Sequence, residues 1–154
     1  MTFVIITAGI DLSVGSQVAL INASAAIMLS FGVPWPVVVL AMLLLGALVG
    51  LAQGWFIAYQ GIPAFIVTLA GLSILRGFAL YMTKGFSIPI NDVPGFFTLG
   101  RGTILGFPVP AIIALIVTAV AAIVISRQMY GRQVVAVGSN PEAARRVGMS
   151  SNWI

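Results

Sequence analysis

Long apolar stretches, separated by short runs of glycine, proline and polar residues, dominate this chain. No Asp, Glu, Lys or Arg occurs between Asp11 and Arg76, and a second charge-free run extends from Gly102 to Ser126. A membrane-crossing helix needs about 20 predominantly apolar residues, and glycine and proline divide the two runs into four such segments. The predicted spans are Val14 to Phe31, Val37 to Tyr59, Ile62 to Met82 and Phe107 to Ser126.

This pattern predicts an all-α fold, a polytopic transmembrane helical bundle forming a single membrane domain over residues 1–154. Hydrophobic residues make up 60% of the chain and charged residues 6%, whereas soluble domains carry roughly 25% charged residues. Residues 1–10 are apolar but too short to span. They also lack the basic residues with which a signal peptide begins, because the first basic residue of the chain is Arg76. We therefore expect these residues to be the tail of a longer helix, and the chain to be an internal fragment of a larger membrane protein.

The distribution of basic residues predicts the orientation. The region after the last span, residues 127–154, contains Arg127, Arg132, Arg145 and Arg146. Because short cytoplasmic segments carry an excess of Lys and Arg, residues 127–154 are predicted to be cytoplasmic. Four crossings then place the loop between Thr83 and Gly106 outside, and Asp11 on the cytoplasmic side.

The chemistry available to the chain is narrow. It contains no Cys and no His, and its three carboxylates are Asp11, Asp92 and Glu142. The single lysine, Lys84, follows a threonine and precedes a glycine, so the chain has no phosphate-binding loop. We expect no catalytic residue, no cofactor-binding residue and no metal site, and any ATP used must be hydrolysed by a partner.

Glycines at four-residue spacing mark one face of the second span. Gly46, Gly50 and Gly54 would lie on the same side of a helix and let another backbone approach closely. We interpret this face as a helix-packing seam. A sliding surface in a moving transporter is the alternative.

Polar residues within the spans have two possible roles. Asn22 and Arg76 are possible contacts of a translocation pathway; the argument is stronger for Arg76, because ionisable groups inside membranes often line such paths. Arg76 could instead extend its guanidinium to the outer headgroups. Interhelical hydrogen bonding is the expected role for both Gln53 and Asn22.

The sequence Gly9 to Ser16, GIDLSVGS, precedes the first full span. Asp11 or Ser13 can cap the first turn of that span, where backbone N–H groups lack partners.

The stretch from Gly131 to Gly148 predicts a short helix with a defined beginning and end. Asn140 is the expected N-cap, Pro141 occupies the first position, Glu142 suits the positive end of the helix dipole and Gly148 terminates the helix. So short a helix needs support from elsewhere in the protein or from a partner, and the small Ala143 and Ala144 would permit close docking. A basic helix lying against anionic lipids is the alternative.

Three stretches resemble one known family: GIDLSVGS at Gly9 to Ser16, GIPAFIVTLAGLSILRG at Gly61 to Gly77, and the segment from Gly131 to Gly148 with its NPEAA core. Together they are similar to permease subunits of bacterial ABC importers for ribose, xylose and autoinducer-2, within the branched-chain amino acid and sugar permease group. In that resemblance Gly9, Asp11, Ser13 and Gly15 carry the family signature.

The resemblance implies a multi-span permease of the bacterial cytoplasmic (inner) membrane, paired with a second permease copy or a sister permease. Its other partners would be ABC ATPase subunits that bind ATP and Mg, and a periplasmic or extracellular sugar-binding protein; no nucleic acid is implied. The segment from Gly131 to Gly148 matches the loop that docks on the ATPase. Its expected coupling residues are Gly131, Gly138, Asn140, Pro141, Glu142, Ala143, Ala144 and Gly148.

Three other functions remain open at this point. The nearest is a permease for branched-chain amino acids, which has a similar span pattern and a comparable cytoplasmic loop. The others are a nonfunctional truncated membrane remnant, and a scaffold that binds lipid through its basic C-terminal region.

Overall fold

The computed structural model describes residues 2–7, 9–90, 93–104, 106–146 and 148. Within these residues the chain forms helices and one short β-hairpin, which confirms the predicted helical membrane fold. In chain order the elements are α1 (Thr2–Ile6), α2 (Val14–Ser30), α3 (Trp35–Ala58), α4 (Ala64–Thr83), α5 (Pro94–Arg101), β1 (Thr103–Ile104), β2 (Phe107–Pro108), α6 (Val109–Arg127), α7 (Met129–Ser139) and α8 (Pro141–Arg146).

The chain divides into two compact units. One covers Gly9–Val93 and contains α2, α3 and α4; we call it the α2–α4 unit. The other combines Met1–Ala8 with Pro94–Ile154. It contains α1, the hairpin and α5 to α8, and we call it the α5–α8 unit.

Each of the four predicted spans contains a long helix, with ends that differ from the prediction by at most two residues. Helices α3, α4 and α6 have 24, 20 and 19 residues and are long and apolar enough to cross a membrane. Helix α2 has only 17 residues, which at 1.5 Å per residue gives about 26 Å against a hydrocarbon core of about 30 Å. We infer that the non-helical residues before Val14 complete this crossing.

Proline and left-handed residues set the ends of these helices. Pro34 and Pro63 stand just before α3 and α4 with extended backbone, where the missing N–H of proline costs no helical hydrogen bond. Helix α4 ends at Lys84, which has φ 52°, and Gly85 follows with φ 76°. The N–H of Gly85 donates to the carbonyl of Leu80 at 3.0 Å, which is the arrangement of a Schellman terminator.

Small residues bring α2 close to α4 in the α2–α4 unit. Leu20 and Ala23 of α2 are buried together with Leu75 and Ala79 of α4. Each pair is three or four residues apart and so lies on one helix face. The two alanines reduce the separation of the helix axes, as in membrane interfaces generally.

Helices α3 and α6 present apolar side chains outward on nearly every side. Among the described residues, Val38 is the only buried one in α3, and Val109 is the only buried one in α6. Leu51 of α3 and Leu115 of α6 are each 70% exposed. Helices that are hydrophobic all round belong in lipid or among other helices.

Before α6, the α5–α8 unit contains a helix and a β-hairpin that the sequence pattern did not predict. Helix α5 and strand β1 occupy a region expected to be loop between the third and fourth spans, and strand β2 takes the first two residues of the predicted fourth span. The hairpin pairs Thr103 with Pro108 and Ile104 with Phe107 in antiparallel register. Within α5, the guanidinium carbon of Arg101 lies 5.4 Å from the ring centre of Phe97, a cation–π geometry.

Candidate functional site

The signature segment, Gly9 to Ser13, is non-helical and leads into α2. Asp11 Oδ1 accepts two hydrogen bonds from Ser13, one from its backbone N–H at 2.8 Å and one from its hydroxyl at 2.7 Å. Asp11 therefore satisfies the N–H of Ser13, the residue just before the first turn of α2. The prediction that the Ser13 side chain could cap the helix was wrong, because that side chain makes no capping hydrogen bond.

Ser13 also joins this segment to α3. Its side chain is fully buried, and its hydroxyl oxygen lies 3.1 Å from Oε1 of Gln53. One hydroxyl proton cannot serve both acceptors fully, and the shorter contact is to the Asp11 carboxylate. Because the oxygen and nitrogen of an amide are interchangeable by a 180° rotation, the consistent arrangement is an amide N–H of Gln53 donating to Ser13. The predicted hydrogen-bonding role of Gln53 is confirmed.

Helix α4 holds the other side of the signature segment. The buried hydroxyl of Thr68 lies 3.1 Å from the backbone carbonyl of Ile10. One turn further along α4, a Cβ added at Gly71 would overlap the Gln53 amide and lie 3.4 Å from Ser13 Cβ. The absence of a side chain at Gly71 therefore makes room for the contact between Ser13 and Gln53.

These contacts hold the signature segment against α3 and α4, near one end of each helix. Gln53 stands five residues before the end of α3 and Thr68 four residues after the start of α4, so each lies about 6–8 Å in from its helix end. Polar groups one to two turns inside α3 and α4 therefore bind the segment that leads into α2.

The predicted glycine seam contacts a neighbour at one position. A Cβ on Gly46 would lie 3.5 Å from Ile21 of α2, and the Gly46 carbonyl accepts a hydrogen bond from Gln17 at 3.0 Å. No atom of the described residues comes within 4 Å of a Cβ placed at Gly50 or Gly54. Packing at these two glycines stays a prediction.

The two possible pathway residues are both exposed within the described part of the α2–α4 unit. Asn22 and Arg76 make no hydrogen bond or ion pair there. The interhelical hydrogen bond considered for Asn22 does not form within this unit. Arg76 lies seven residues before the end of α4, about 10 Å, so it remains within reach of headgroups.

The C-terminal segment begins with α7, a helix that the sequence analysis did not predict. Gly131 packs on the backbone of Ile125 at the end of α6, and Gly138 packs on the backbone of Ile6 in α1. A Cβ at either glycine would overlap a backbone atom of its neighbour. Gly131, Val134 and Gly138 follow the three- and four-residue spacing of one helix face, a signal that the sequence already contained.

Helix α8 follows with the predicted ends. Asn140 Oδ1 accepts the backbone N–H of Ala143 at 3.0 Å, which is the hydrogen bond of an N-cap, and Gly148 has φ 81°. Glu142 and Ala143 are exposed. Ala144 is only 4% exposed, so the expectation that both alanines face a partner is corrected: Ala144 supports α8 from within its own unit. Residues 149–154 of the predicted cytoplasmic region, and the side chains of Pro141 and Arg145, lie outside the described residues.

Residues 1–154 match the family described as branched-chain amino acid transport system / permease component. The chain belongs to this permease family. It is 41% identical, over all of its length, to the ribose import permease protein RbsC of Haemophilus influenzae. It is 35% identical over 99% of its length to the autoinducer 2 import system permease protein LsrD of an Enterobacter species, and 42% identical over 69% of its length to the xylose transport system permease protein XylH of Haemophilus influenzae.

The permease segment spans about half the length of the first two relatives, 49% of RbsC and 48% of LsrD. No solved structure matches it. Family membership and the long apolar helices place the chain in the bacterial inner membrane as a multi-pass protein. The resemblance to sugar-importer permeases, first based on three short stretches, extends over the whole chain.

Sequence reasoning missed Thr68 and Gly71 as partners of the signature segment. Both lie in the stretch from Gly61 to Gly77 that already carried part of the family resemblance. Their three- and four-residue spacing relative to Ala64 and Leu75 could have indicated one face of α4. Nothing in the sequence, however, showed that this face meets residues 10–13.

Proposed function

We propose that this chain is part of the membrane subunit of an ATP-driven importer for a monosaccharide or a closely related solute. The observation that carries the proposal is the full-length match, at 41% identity, to a ribose import permease. Relatives named for autoinducer 2 and xylose support the same solute class. ATP and Mg would bind to a partner ATPase, a second permease subunit would complete the membrane part, and a soluble binding protein would deliver the solute.

We further propose that residues 131–148 dock the ATPase. Helix α8 exposes Glu142 and Ala143 while Ala144 holds it against the rest of its unit. Close packing of a small residue such as Ala143 would bring a partner backbone near α8. The first turn of α8, capped by Asn140, is thereby presented as a short rigid element.

The backbone contacts of α7 would carry the ATPase motion into the membrane part. A displacement of α8 reaches α7, whose Gly131 packs on the last turns of α6 and whose Gly138 packs on α1. Contacts between backbones yield little, because no side chain can rotate away. Rigid elements of this kind can change the tilt of packed helices, as alternating access requires.

Replacing Ala143 with Glu tests the docking. The variant should lose most of the ATPase that co-purifies with the permease, because a charge would be forced into a close-packed contact without a partner. Ala143→Ser is the matched control and should retain the ATPase. Equal recovery with Ala143→Glu and with the control would contradict docking at α8. Ala144→Glu is unsuitable, since Ala144 is buried within its own chain.

Uptake into proteoliposomes tests the solute class. The permease, reconstituted with its ATPase and binding protein, should accumulate labelled D-ribose when ATP is enclosed. Labelled leucine is the comparison, because the family description names branched-chain amino acids. Uptake of leucine without ribose would replace the proposed solute with an amino acid.

A further inference from the structure

An open apolar groove runs between α5 and the first half of α6. The backbone N–H of Val109, the first residue of α6, donates to the carbonyl of Gly102, just after α5, at 2.9 Å. The C-terminal end of α5 is therefore fixed beside the first turn of α6. The groove has a volume of about 600 Å³. Its walls are mainly apolar, and they are formed by Phe96, Leu99 and Gly100 of α5 and by residues of α6 between Pro110 and Thr118.

The length of α6 gives this groove a direction in the membrane. Helix α6 has 19 residues and is long and apolar enough to cross. At 1.5 Å per residue it extends about 28 Å, close to the thickness of the hydrocarbon core, about 30 Å. Its first turn therefore lies at one surface of that core, and Thr118 lies about 14 Å further along the helix. The groove thus leads from the membrane surface towards the middle of the bilayer.

A positive charge stands at the surface end of the groove. Arg101 is the last residue of α5, its side chain is exposed, and it directly precedes the glycine that binds the start of α6. Its guanidinium carbon lies 5.4 Å from the ring centre of Phe97, and this cation–π contact holds the side chain at the end of α5. A guanidinium binds phosphate oxygens through paired, charge-assisted hydrogen bonds. A phosphate-binding group therefore stands above an apolar path.

We propose that the groove binds an anionic phospholipid, with the headgroup phosphate on Arg101 and one acyl chain along α6 between Pro110 and Thr118. Charge complementarity selects this occupant, because basic residues at the membrane surface attract anionic headgroups. An apolar protein helix would fill the groove but would bring no phosphate to the charge at its surface end. The inference depends on the membrane location of the chain and not on the solute that is transported.

Binding of deuterated phosphatidylglycerol to the complete, delipidated permease subunit in detergent, counted by mass spectrometry, tests the headgroup contact. Arg101→Gln should weaken binding about fivefold, the contribution of one basic residue near an anionic surface. Arg101→Lys should weaken it less, because lysine keeps the charge and loses only the paired geometry. Lys84→Gln is the matched control, since it removes an exposed charge at the end of α4, and binding should be unchanged. Equal binding by wild type and Arg101→Gln, or equal losses in Arg101→Gln and Lys84→Gln, would overturn the inference.

A tryptophan placed in the groove tests the path of the acyl chain. Ala114 lines the groove and is exposed, so Ala114→Trp would fill the space and should lower phosphatidylglycerol binding several-fold. Ala122→Trp is the matched control, because Ala122 is exposed on the same helix two turns further on and does not line the groove. Equal binding by the two variants would contradict an acyl chain in the groove.

Two further outcomes would identify another occupant. Glycerol 3-phosphate should bind more than about tenfold more weakly than phosphatidylglycerol, because it lacks the acyl chain whose burial supports binding. Equal binding of the two compounds would replace the lipid with a free phosphate ester. If Ala114→Trp prevented assembly of the permease while Arg101→Gln kept its phosphatidylglycerol, the groove would be covered by protein and the inference would be wrong.

Discussion

The signature segment of the α2–α4 unit and helix α7 of the α5–α8 unit differ in how their backbones are held. Residues 10–13 are fixed by hydrogen bonds from side chains, among them Gln53 and Thr68. Helix α7 is fixed by direct backbone contact at Gly131 and Gly138. In the signature segment, side-chain hydrogen bonds hold a stretch of backbone that is not helical. At α7, glycines without side chains allow the backbones of neighbouring helices to touch.

The difference predicts different mechanical behaviour. A side-chain hydrogen bond contributes about 0.5–1.5 kcal/mol net and can be broken by rotation about side-chain bonds. A backbone contact at glycine has no such freedom, and changing it moves a whole helix. The contacts of the signature segment can therefore be exchanged without moving a helix, whereas those of α7 cannot.

The largest expected effect is at Gly138. Gly138→Ala would drive a methyl group into the backbone of Ile6, and overpacking of this kind costs about 1–3 kcal/mol. The thermal unfolding temperature of the purified permease should fall accordingly. Gly100→Ala is the control: Gly100 lies in α5 with nothing within 4 Å of an added Cβ, and alanine favours a helix by up to about 1 kcal/mol. Equal unfolding temperatures of the two variants would contradict a tight backbone contact at Gly138.

A smaller effect is expected at Gly71. An added methyl group displaces the Gln53 amide, which can rotate away, so Gly71→Ala should cost only the hydrogen bond to Ser13, about 1 kcal/mol. Gly77→Ala, on the same helix with nothing within 4 Å of the added Cβ, is the matched control. Combining Gly71→Ala with Gln53→Leu should add little beyond either change alone. Additive losses would show that Gly71 acts through something other than Gln53.

The smallest effect is expected at Thr68. Its hydroxyl lies 2.8 Å from the Ala64 carbonyl of its own helix and 3.1 Å from the Ile10 carbonyl, so its single proton is shared. Thr68→Val should therefore lower the stability of the permease by less than about 1 kcal/mol. Thr83→Val is the control, because the Thr83 hydroxyl bonds only within α4 among the described residues. If Thr68→Val lowered stability more than Thr83→Val by over about 1 kcal/mol, the Thr68 contact from α4 would matter more to the signature segment than the Gln53 contact from α3.

The membrane helices could be predicted from the sequence because long apolar runs and proline punctuation act locally. The cap at Asn140 and the terminator at Gly148 were predictable for the same reason. Helix α7 was not, because its β-branched valines do not favour a helix and its support comes from α1 and α6. The contacts of the signature segment were not predictable either, since they join residues 40 and 58 positions apart in the pairs Ser13–Gln53 and Ile10–Thr68.

That separation along the chain also sets an order of events during biogenesis. Ser13 is synthesised 40 residues before Gln53, an interval of about 2–8 s at 5–20 residues per second. Helices α3 and α4, joined by Tyr59 to Pro63, form a short helical hairpin that completes the polar contacts of the signature segment. Until that hairpin is inserted, the backbone before α2 lacks two of its partners. The signature segment is therefore among the last parts of the α2–α4 unit to mature, although it is the first to leave the ribosome.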